Sequence, residues 1–475
     1  MKKAKIAIVG GGVAGATSAI YLAKLGLEVT LFEKESSLVS GPPFCHLHAG
    51  GNLYREISDE QCIKLLKQSI DFLKFYPFVV DYRPTVIALP TTDKQTPKQL
   101  LPRLELLTQK YKELIQTDSS NQVLGEPSNY FKLYSQEDLE RLKSQKASSK
   151  PKNSDDWMVS VAQNMNFDKV QFPLILVQEY GLNLFRLASG ATLILKNMSN
   201  VTLKNSTEVS NIQKEKEGWL VSYDDKQESF DYLINAAGFR TGKIDDMLGV
   251  PCKRMVEFKA AYVSHWESKE QTLFPEIIFH GERGTPQGMG QFTPYPNGYF
   301  QLHGMTHNIT LYDDGLVANT PLSCQPQLKQ NFMEKIEKSW SKKEIDERTE
   351  SAIEHLSQFI PNFSEATVGS KPLFGAQQIP GDDPTLRVAE VSFPTKRYAR
   401  CEIVKVSSVI DMVRAIQNEL VELGYLDVVD EVSLSLNLLE EEDIHALAQK
   451  LCEQRNYPRS LGCRNVELKV KNIKS

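Results

Sequence analysis

The sequence predicts an α/β fold in which a Rossmann-like domain is interleaved with an α+β domain. A compact β-branched run at residues 5–10, KIAIVG, precedes a helical apolar pattern at 16–26 and a second strand at 28–34. These three elements predict one βαβ unit at the start of the chain. Residues 251–320 are rich in strand-like runs, Gly and Pro. With 475 residues, of which 41% are apolar, the chain is long enough for two or three domains.

The composition argues against several classes of protein. The formal net charge is −5 and charges of both signs are mixed along the chain, so we expect no nucleic-acid partner. Seven scattered cysteines without close pairs predict a reducing cytoplasm and no metal site. The first residues are similar to a secretion signal, but Lys24 and Glu28 follow the apolar run too soon, so secretion is the weaker alternative. No stretch approaches the roughly 20 apolar residues of a transmembrane segment.

The remaining elements follow from capping residues and periodicity. Ser58 and Gln61 have the spacing of a capping box and predict a helix that ends before Pro77. Residues 143–156 are polar and linker-like, so we expect an exposed loop there. Further helices are predicted at 98–116, 136–143, 181–195, 407–423 and 441–454, and further strands at 200–214, 218–225, 230–238 and 431–439.

Three glycines with dinucleotide-binding spacing lie between the first strand and the first helix. Gly10 permits the tight turn, Gly12 lets the backbone approach a diphosphate, and Gly15 allows the helix to pack closely on the strand. Free N–H groups and the dipole at the start of the helix favour negative charge. Glu33 ends the second strand and is placed to accept ribose hydroxyls. The alternative is a tight turn without a ligand. The predicted dinucleotide site consists of Gly10, Gly12, Val13, Ala14, Gly15, Glu33 and Lys34.

A second small-residue turn helps to decide which dinucleotide binds. The strand YLIN at 232–235 continues into Ala-Ala-Gly, a turn that lets the backbone come close to a cofactor. We therefore expect Ala237 and Gly238 to contact the cofactor.

Four stretches of the chain resemble one family of enzymes. The start, VGGGVAGATSAIYLAKLGLEVTLFEKES, and YLINAAG carry the most specific likeness, and GQFTPYPNGYFQLHGMT and VGSKPLFG, followed by RYARCEIVKVSS, are similar in outline. On these motifs the sequence resembles the FAD-dependent oxidoreductases related to D-amino acid oxidase, glycine oxidase and L-2-hydroxyglutarate dehydrogenase. The resemblance implies an FAD-binding Rossmann-like domain with an interleaved α+β substrate domain. It also implies that the backbone of Val209 meets the adenine and that Ser407, near a helix N-terminus, faces flavin oxygen atoms.

By the same resemblance, the cofactor-binding domain is assembled from separated pieces of chain, and a substrate domain covers it. The tail carries no chemical signature, and we expect it to provide packing or an interaction surface. The expected ranges are 1–90, 171–250 and 365–425 for the FAD-binding domain, 91–170 and 251–364 for the substrate domain, and 426–475 for a C-terminal extension.

The segment CHLHAGG at 45–51 lies where this family places a loop over the diphosphate and the flavin ring. His48-Ala-Gly-Gly is similar to the His-Ala-Ala-Gly of the dimethylglycine dehydrogenases, in which the histidine carries a covalent flavin bond. Two alternatives stay open: His48 and Ala49 wrap a noncovalent flavin, or His48, or else His46, bonds to it. A metal site is the weakest alternative, because Cys45, His46 and His48 are too crowded along the chain for the usual ligand spacing.

Three polar residues in the later motifs are candidates for the chemistry. Lys371 in GSKP stands where the family has an arginine that grips the substrate carboxylate, and it keeps the charge without the bidentate fork. Arg400 stands where the family often has an arginine facing the flavin. His303 lies on the strand of FQLHGMT and is a candidate general base. The alternatives are an exposed lysine and a histidine that is merely hydrogen-bonded within its strand.

These features predict an FAD-dependent oxidoreductase that removes a hydride from a CH–OH or CH–NH centre of a small, carboxylated metabolite. The cofactor accepts the electrons, so the protein supplies an anchor and a base. The electron acceptor stays open between oxygen, a quinone and another flavoprotein. One alternative is a flavin-dependent monooxygenase, to which Gly381-Asp382 is superficially similar, although the residues that follow lack the expected helix start. Another is a flavoprotein that acts with a macromolecular partner through its tail.

Overall fold

The computed structural model describes residues 4–42, 47, 57–269, 271–386, 389–427 and 439–466. These residues form two large sheets with helices packed on them, which confirms the predicted α/β class. The α-helices, in chain order, are α1 (Val13–Lys24), α2 (Asp59–Phe75), α3 (Leu101–Thr117), α4 (Gln136–Lys143), α5 (Ser154–Asn164), α6 (Leu184–Lys196), α7 (Thr241–Leu248), α8 (Gln330–Glu337), α9 (Lys342–Ser357), α10 (Val409–Glu422) and α11 (Glu441–Gln454).

The strands are distributed along the whole chain rather than gathered in one part of it. In chain order they are β1 (Lys5–Val9), β2 (Glu28–Phe32), β3 (Val80–Asp81), β4 (Thr85–Ala88), β5 (Phe131–Tyr134), β6 (Leu174–Val177), β7 (Gly181–Leu182), β8 (Val201–Lys204), β9 (Val209–Glu215), β10 (Gly218–Tyr223), β11 (Lys226–Phe230), β12 (Tyr232–Asn235), β13 (Arg254–His265), β14 (Glu276–Phe279), β15 (Gly290–Pro294), β16 (Tyr299–Gly304), β17 (Leu316–Ala318), β18 (Thr367–Pro380), β19 (Val391–Thr395) and β20 (Tyr398–Cys401).

The first large sheet has six strands in the order β19-β20-β12-β1-β2-β8. β1 lies at its centre and pairs in parallel with β2 and β12, so Ile8 lies beside both Leu31 and Ile234. β8 and β20 extend the parallel pairing on either side, whereas β19 at the edge is antiparallel. α1 packs on β1 and β2 and contacts α6 and α10. The carboxyl ends of the parallel strands meet at one edge, which is where open α/β sheets bind ligands.

The second large sheet has nine strands in the order β17-β13-β16-β15-β14-β4-β6-β5, with β18 also paired to β13. The β13–β18 pairing runs from Arg254, opposite Pro380, to His265, opposite Thr367. α9 packs on β13, β15, β16 and β18. The apolar core between α9 and the sheet includes the fully buried Trp266. One face of this sheet is thereby covered, which leaves the other to form the wall of a site.

Local capping explains where the observed helices differ from the predicted ones. The Ser58–Gln61 capping box is present as predicted. The predicted loop at 143–156 is wrong at its end, because Asn153 caps α5 by accepting a hydrogen bond from the N–H of Asp156. The helix predicted at 181–195 begins later, because the Asn183 side chain accepts hydrogen bonds from the first N–H groups of α6. The predicted strand at 431–439 lies outside the described residues except at its end.

Strand pairing bears on the proposed division into domains. β4 and β6 belong to segments that we assigned to the FAD-binding domain, and both pair within the nine-stranded sheet. We therefore propose that the chain crosses to the substrate domain at about residue 84 and returns at about residue 178. The discontinuous arrangement itself stays as proposed.

The C-terminal extension packs into the body of the protein. α11 lies against α6. The Asn183 side chain donates to the carbonyl of Leu461 at 2.8 Å, and the buried Arg186 forms an ion pair with Glu441 at 2.5 Å. The Asn465 side chain donates a hydrogen bond to Asp81 at 2.7 Å, near the end of the described residues. Among the helices in the described part of the chain, none is long and apolar enough to cross a membrane.

Close packing in α6 gives a test of the fold. A Cβ at Gly190 would overlap the ring of Phe78. Overpacking of a filled core costs about 1–3 kcal/mol, so we expect Gly190→Ala to lower the free energy of unfolding by that amount in a urea titration. Lys196→Ala, at an exposed position in the same helix, is the control. Helix propensity alone predicts the opposite, a gain of about 1 kcal/mol for Gly190→Ala, and that gain would contradict the packing.

Candidate cofactor and substrate site

The glycine-rich turn between β1 and α1 brings three stretches of backbone together. Gly10 has a φ of 103°, in the region that favours glycine, and a Cβ there would overlap the carbonyl of Ala236. A Cβ at Gly15 would overlap the carbonyl of Gly10. A Cβ at Gly12, by contrast, would meet no atom within 4 Å. Gly10 and Gly15 are therefore required by the fold, whereas Gly12 leaves open space at the helix N-terminus.

Glu33 is held at the end of β2 by backbone N–H groups. One carboxylate oxygen accepts from the N–H of Gly11 at 2.6 Å and the other from the N–H of Glu35 at 2.7 Å. Burial raises the pKa of Glu33, and these two hydrogen bonds oppose the shift. Each oxygen keeps a second lone pair, so the carboxylate can still accept ribose hydroxyls.

One cavity of about 1620 Å³ extends from the glycine-rich turn to the nine-stranded sheet. Most of the predicted site residues line it: Gly10, Gly12, Val13, Ala14, Glu33, Lys34, Val209, Ala237, Gly238, His303 and Lys371. Gly15 lies behind the turn, and Ser407 is buried and does not line the cavity. His46, His48 and Ala49 lie outside the described residues. Gly381 and Asp382, the residues similar to a monooxygenase motif, do not line the cavity.

The charge of the cavity wall favours an anionic ligand. Among the described residues, nine lysine or arginine side chains line the cavity against five aspartate or glutamate side chains. Three of these cations, Lys259, Arg283 and Lys371, belong to the substrate sheet or to the turns beside it. Lys259 and Arg283 each form an ion pair with Glu257 at 2.6 Å. A cleft with an excess of one sign concentrates ligands of the opposite charge.

His303 and Gln291 are neighbours on the face of the nine-stranded sheet that lines the cavity. The Nδ1 atom of His303 lies 3.3 Å from the hydroxyl of Thr310. Burial, together with the nearby Lys259 cation, lowers the pKa of His303 to about 4, although a hydrogen bond to the backbone of Ala260 opposes the shift. The imidazole is therefore neutral at physiological pH and is a weak base.

Lys371 lies on β18, which flanks β13 on the side opposite to β16. Its ammonium lies 4.6 Å from the ring centre of Tyr457 and 5.8 Å from that of Phe374. Burial lowers the pKa of Lys371, and the Arg455 cation lowers it further. Lys371 is thus a half-buried cation at the cavity wall rather than an exposed lysine.

The structure does not bring Arg400 to the cavity, which corrects its predicted role as a catalytic residue. Its Nε atom lies 3.0 Å from both carboxylate oxygens of the fully buried Asp245. Asp245 also accepts a hydrogen bond from the hydroxyl of Tyr398 at 2.6 Å. The guanidinium is engaged in joining β20 to α7, and together with Arg254, whose Nη2 atom lies 3.7 Å from the same carboxylate, it balances the buried charge of Asp245.

Sequence reasoning missed part of the cavity wall. Residues 454–457, which comprise the last residue of α11 and the three that follow it, line the cavity although the tail showed no chemical motif. Lys259 on β13 was also missed. Alternation along β13 was the available signal for Lys259, but no local pattern marks the 454–457 turn as part of a site.

The model of the DAO family, described as FAD dependent oxidoreductase, matches residues 5–384. The chain belongs to this family. It is therefore an FAD-dependent oxidoreductase, and FAD is its cofactor. The family match includes the glycine-rich turn, the strands of the substrate sheet and most of the cavity wall, and it ends before α10 and the C-terminal extension.

Solved structures share the fold at low sequence identity. Glycine oxidase from Geobacillus kaustophilus is 11% identical with a TM-score of 0.55, over 92% of this chain and 99% of that chain. L-α-glycerophosphate oxidase from Mycoplasma pneumoniae, with FAD bound, is 17% identical with a TM-score of 0.56, over 92% and 100%. L-proline dehydrogenase from P. horikoshii is 14% identical with a TM-score of 0.56, over 89% and 99%. No curated protein matches the chain.

The residues present fit FAD. The space left by Gly12 at the start of α1 can receive the diphosphate, and Glu33 is oriented towards the cavity for ribose hydroxyls. Val209, Ala237 and Gly238 line the same cavity and would contact the adenosine and the flavin by backbone approach. The cavity exceeds the usual 300–1,000 Å³ of small-molecule pockets, so it has room for a substrate beside the cofactor.

Two glycine variants separate cofactor binding from folding. We expect Gly12→Ala to leave the melting temperature of the apoprotein unchanged and to weaken FAD binding at least about tenfold, because the methyl group occupies space meant for the ligand. Gly15→Ala is expected to destabilise the apoprotein, because its methyl group meets backbone. The measurements are thermal unfolding and flavin fluorescence titration. Equal effects of the two variants on apoprotein stability would contradict this division of roles.

Arg400 is expected to act on stability rather than on substrate affinity. Arg400→Ala removes the closest cation from a buried carboxylate and should lower the free energy of unfolding by about 3 kcal/mol. The variant that still carries FAD should keep the KM of the wild type. A variant of normal stability with a raised KM would restore the predicted role in substrate binding.

Proposed function

We propose that this flavoenzyme oxidises a CH–OH or CH–NH centre of a small, carboxylated metabolite. The observation that carries the proposal is that Lys371 lines the same cavity as the glycine-rich turn and the polar face of the substrate sheet. β13 separates the strands of Lys371 and His303, so two interstrand spacings of about 4.8 Å lie between those strands. That span suits a metabolite of a few carbon atoms.

FAD, when bound, would accept the hydride of the oxidised carbon, which carries the two electrons of the oxidation. The protein's own contribution is to position the substrate. Lys371 binds the carboxylate as a point charge, and the aromatic rings beside it keep the ammonium at the wall of the cavity. The surrounding excess of lysine and arginine favours the same anion.

His303 is better suited to orienting the substrate than to removing a proton. Its low pKa keeps the ring neutral, and its contacts with Thr310 and Ala260 fix the ring orientation. A neutral imidazole next to Gln291 supplies a polar surface for an amine or a hydroxyl group. A histidine with an ordinary pKa would change the rate of flavin reduction near pH 6.5, and His303→Gln would remove that change. We expect the wild type to show no such change.

The names of solved structures with this fold support oxidation of either a CH–OH or a CH–NH centre. They include a glycine oxidase, an L-proline dehydrogenase and an L-α-glycerophosphate oxidase. At these low identities the structures show a shared fold but not a shared substrate. The proposal that the metabolite is an anion therefore rests on the cavity wall of this chain.

The test is anaerobic mixing of the holoenzyme with amino acids, N-methyl amino acids and 2-hydroxy acids, each paired with its neutral amide. We expect a carboxylate to bleach the flavin absorbance and its amide to do so at least about tenfold less efficiently, because a charge-assisted hydrogen bond is lost. Reduction by NADPH alone, with no response to any of these metabolites, would favour a monooxygenase and contradict the proposal.

Lys371 gives a prediction of pH dependence. A lysine holds its charge below its pKa, and the pKa of Lys371 is lowered by burial and by the Arg455 cation. As the pH increases, Lys371 should lose its charge at a lower pH than an ordinary lysine, whose pKa is 10.5. The KM for the carboxylate substrate should therefore begin to rise at a pH below 10.5. Lys371→Arg should remove this rise because arginine keeps its charge.

Lys371→Ala should raise KM by roughly ten- to a hundredfold at neutral pH while leaving FAD bound. Lys450→Ala, at an exposed position on α11, is the matched control. A wild-type KM in Lys371→Ala would show that the anion binds elsewhere.

A further inference from the structure

The turn after α11 lies against the cofactor half of the cavity, although the family match ends at residue 384. Tyr457 returns the chain to the helix through a hydrogen bond from its N–H to the carbonyl of Cys452, and Asn456 adopts a left-handed φ of 56°. The Tyr457 hydroxyl donates to the carbonyl of Pro372 at 2.7 Å. These contacts fix the position of Arg455.

Arg455 is bonded to the segment that lies over the glycine-rich turn. Its guanidinium donates to the hydroxyl of Ser37 at 2.9 Å, to the carbonyl of Leu38 at 2.6 Å and to that of Val39 at 3.1 Å. The N–H of Val39 in turn donates to the carbonyl of Gly11 at 3.0 Å. Residues 37–39 therefore lie between Arg455 and the glycine-rich turn, and they are hydrogen-bonded to both.

The charge of Arg455 is not balanced by a nearby carboxylate. Within the described ranges, no aspartate or glutamate oxygen lies within 4.0 Å of its guanidinium, whose partners are neutral oxygens. Burial lowers the pKa of Arg455, and the more distant carboxylates of Glu33 and Glu35 oppose the shift. The C-terminus of α11 supplies only a partial negative charge. Arg455 is thus a half-buried cation at the cavity wall with no ion-pair partner among the described residues, and such a cation favours an anionic ligand.

The first turn of α1 offers N–H groups to a diphosphate but no cationic side chain. The basic residue of α1 is Lys24, at the far end of the helix. A diphosphate at the start of α1 thus gains hydrogen bonds there, and the positive charge has to come from another element. Arg455 is placed to supply it.

We propose that Arg455 is a cofactor-binding residue supplied by the C-terminal extension, whose cation balances the diphosphate of FAD and whose hydrogen bonds hold residues 37–39 over the glycine-rich turn. The extension is then part of the cofactor site rather than a separate interaction surface. This inference rests on the cofactor and does not depend on the proposed substrate.

The test compares ligands with and without the diphosphate. Full-length apoprotein of the wild type, Arg455→Lys and Arg455→Ala is titrated calorimetrically with ADP and with adenosine, and its melting temperature is recorded. Arg459→Ala is the matched control, because Arg459 lies in the same extension, is exposed and does not line the cavity.

We expect Arg455→Ala to weaken ADP binding by roughly ten- to a hundredfold, to leave adenosine binding within about twofold, and to release FAD during purification. Arg455→Lys should recover part of the ADP affinity, because the charge is kept while the hydrogen bonds of the guanidinium to residues 37–39 are not. Unchanged ADP affinity in Arg455→Ala, or equal losses for ADP and adenosine, would overturn the proposal. If Arg455→Ala does not fold, Arg455→Gln is titrated in its place, and the same outcomes decide.

Discussion

Backbone atoms of β1, β12 and α1 approach one another around Gly10 and Gly15 more closely than any side chain permits. This approach directs the N-terminus of α1 towards the carboxyl edge of the six-stranded sheet, where Glu33 also ends its strand. Gly12 lies between these two tightly packed glycines along the chain, and a Cβ there would meet no atom within 4 Å. The cofactor site is therefore a consequence of how the first βαβ unit closes.

The remaining elements complete a site around that edge. The nine-stranded sheet turns a polar face towards the glycine-rich turn, and β18 carries Lys371 to the same cavity. The C-terminal extension connects the two halves, since Arg455 bonds the segment over the turn and Tyr457 bonds the backbone of Pro372 next to Lys371. On the roles that we propose for Arg455 and Lys371, this one short turn links cofactor affinity to substrate orientation.

The sequence predicted what is encoded locally. Gly10, Gly12, Gly15 and Glu33 were found because their spacing is fixed by one strand, one turn and one helix. Lys371 was placed by resemblance, and the structure brings it to the cavity wall.

What the sequence did not reveal depends on partners far along the chain. Arg400 was assigned to the site by resemblance, and no local pattern shows that Asp245, 155 residues earlier, lies beside it. Arg455 was missed because its partners begin at Ser37, 418 residues away. Likewise, the pairing of β4 with β14 moves a segment from one proposed domain to the other, and only long-range register reveals it.

The most direct measurement is a crystal structure of the protein with FAD and an unreactive carboxylate analogue of the best substrate. The account predicts the FAD diphosphate at the start of α1 on the side of Arg455, and the carboxylate within hydrogen-bond distance of Lys371 Nζ. A carboxylate bound away from Lys371, or a diphosphate seated away from the glycine-rich turn, would contradict it.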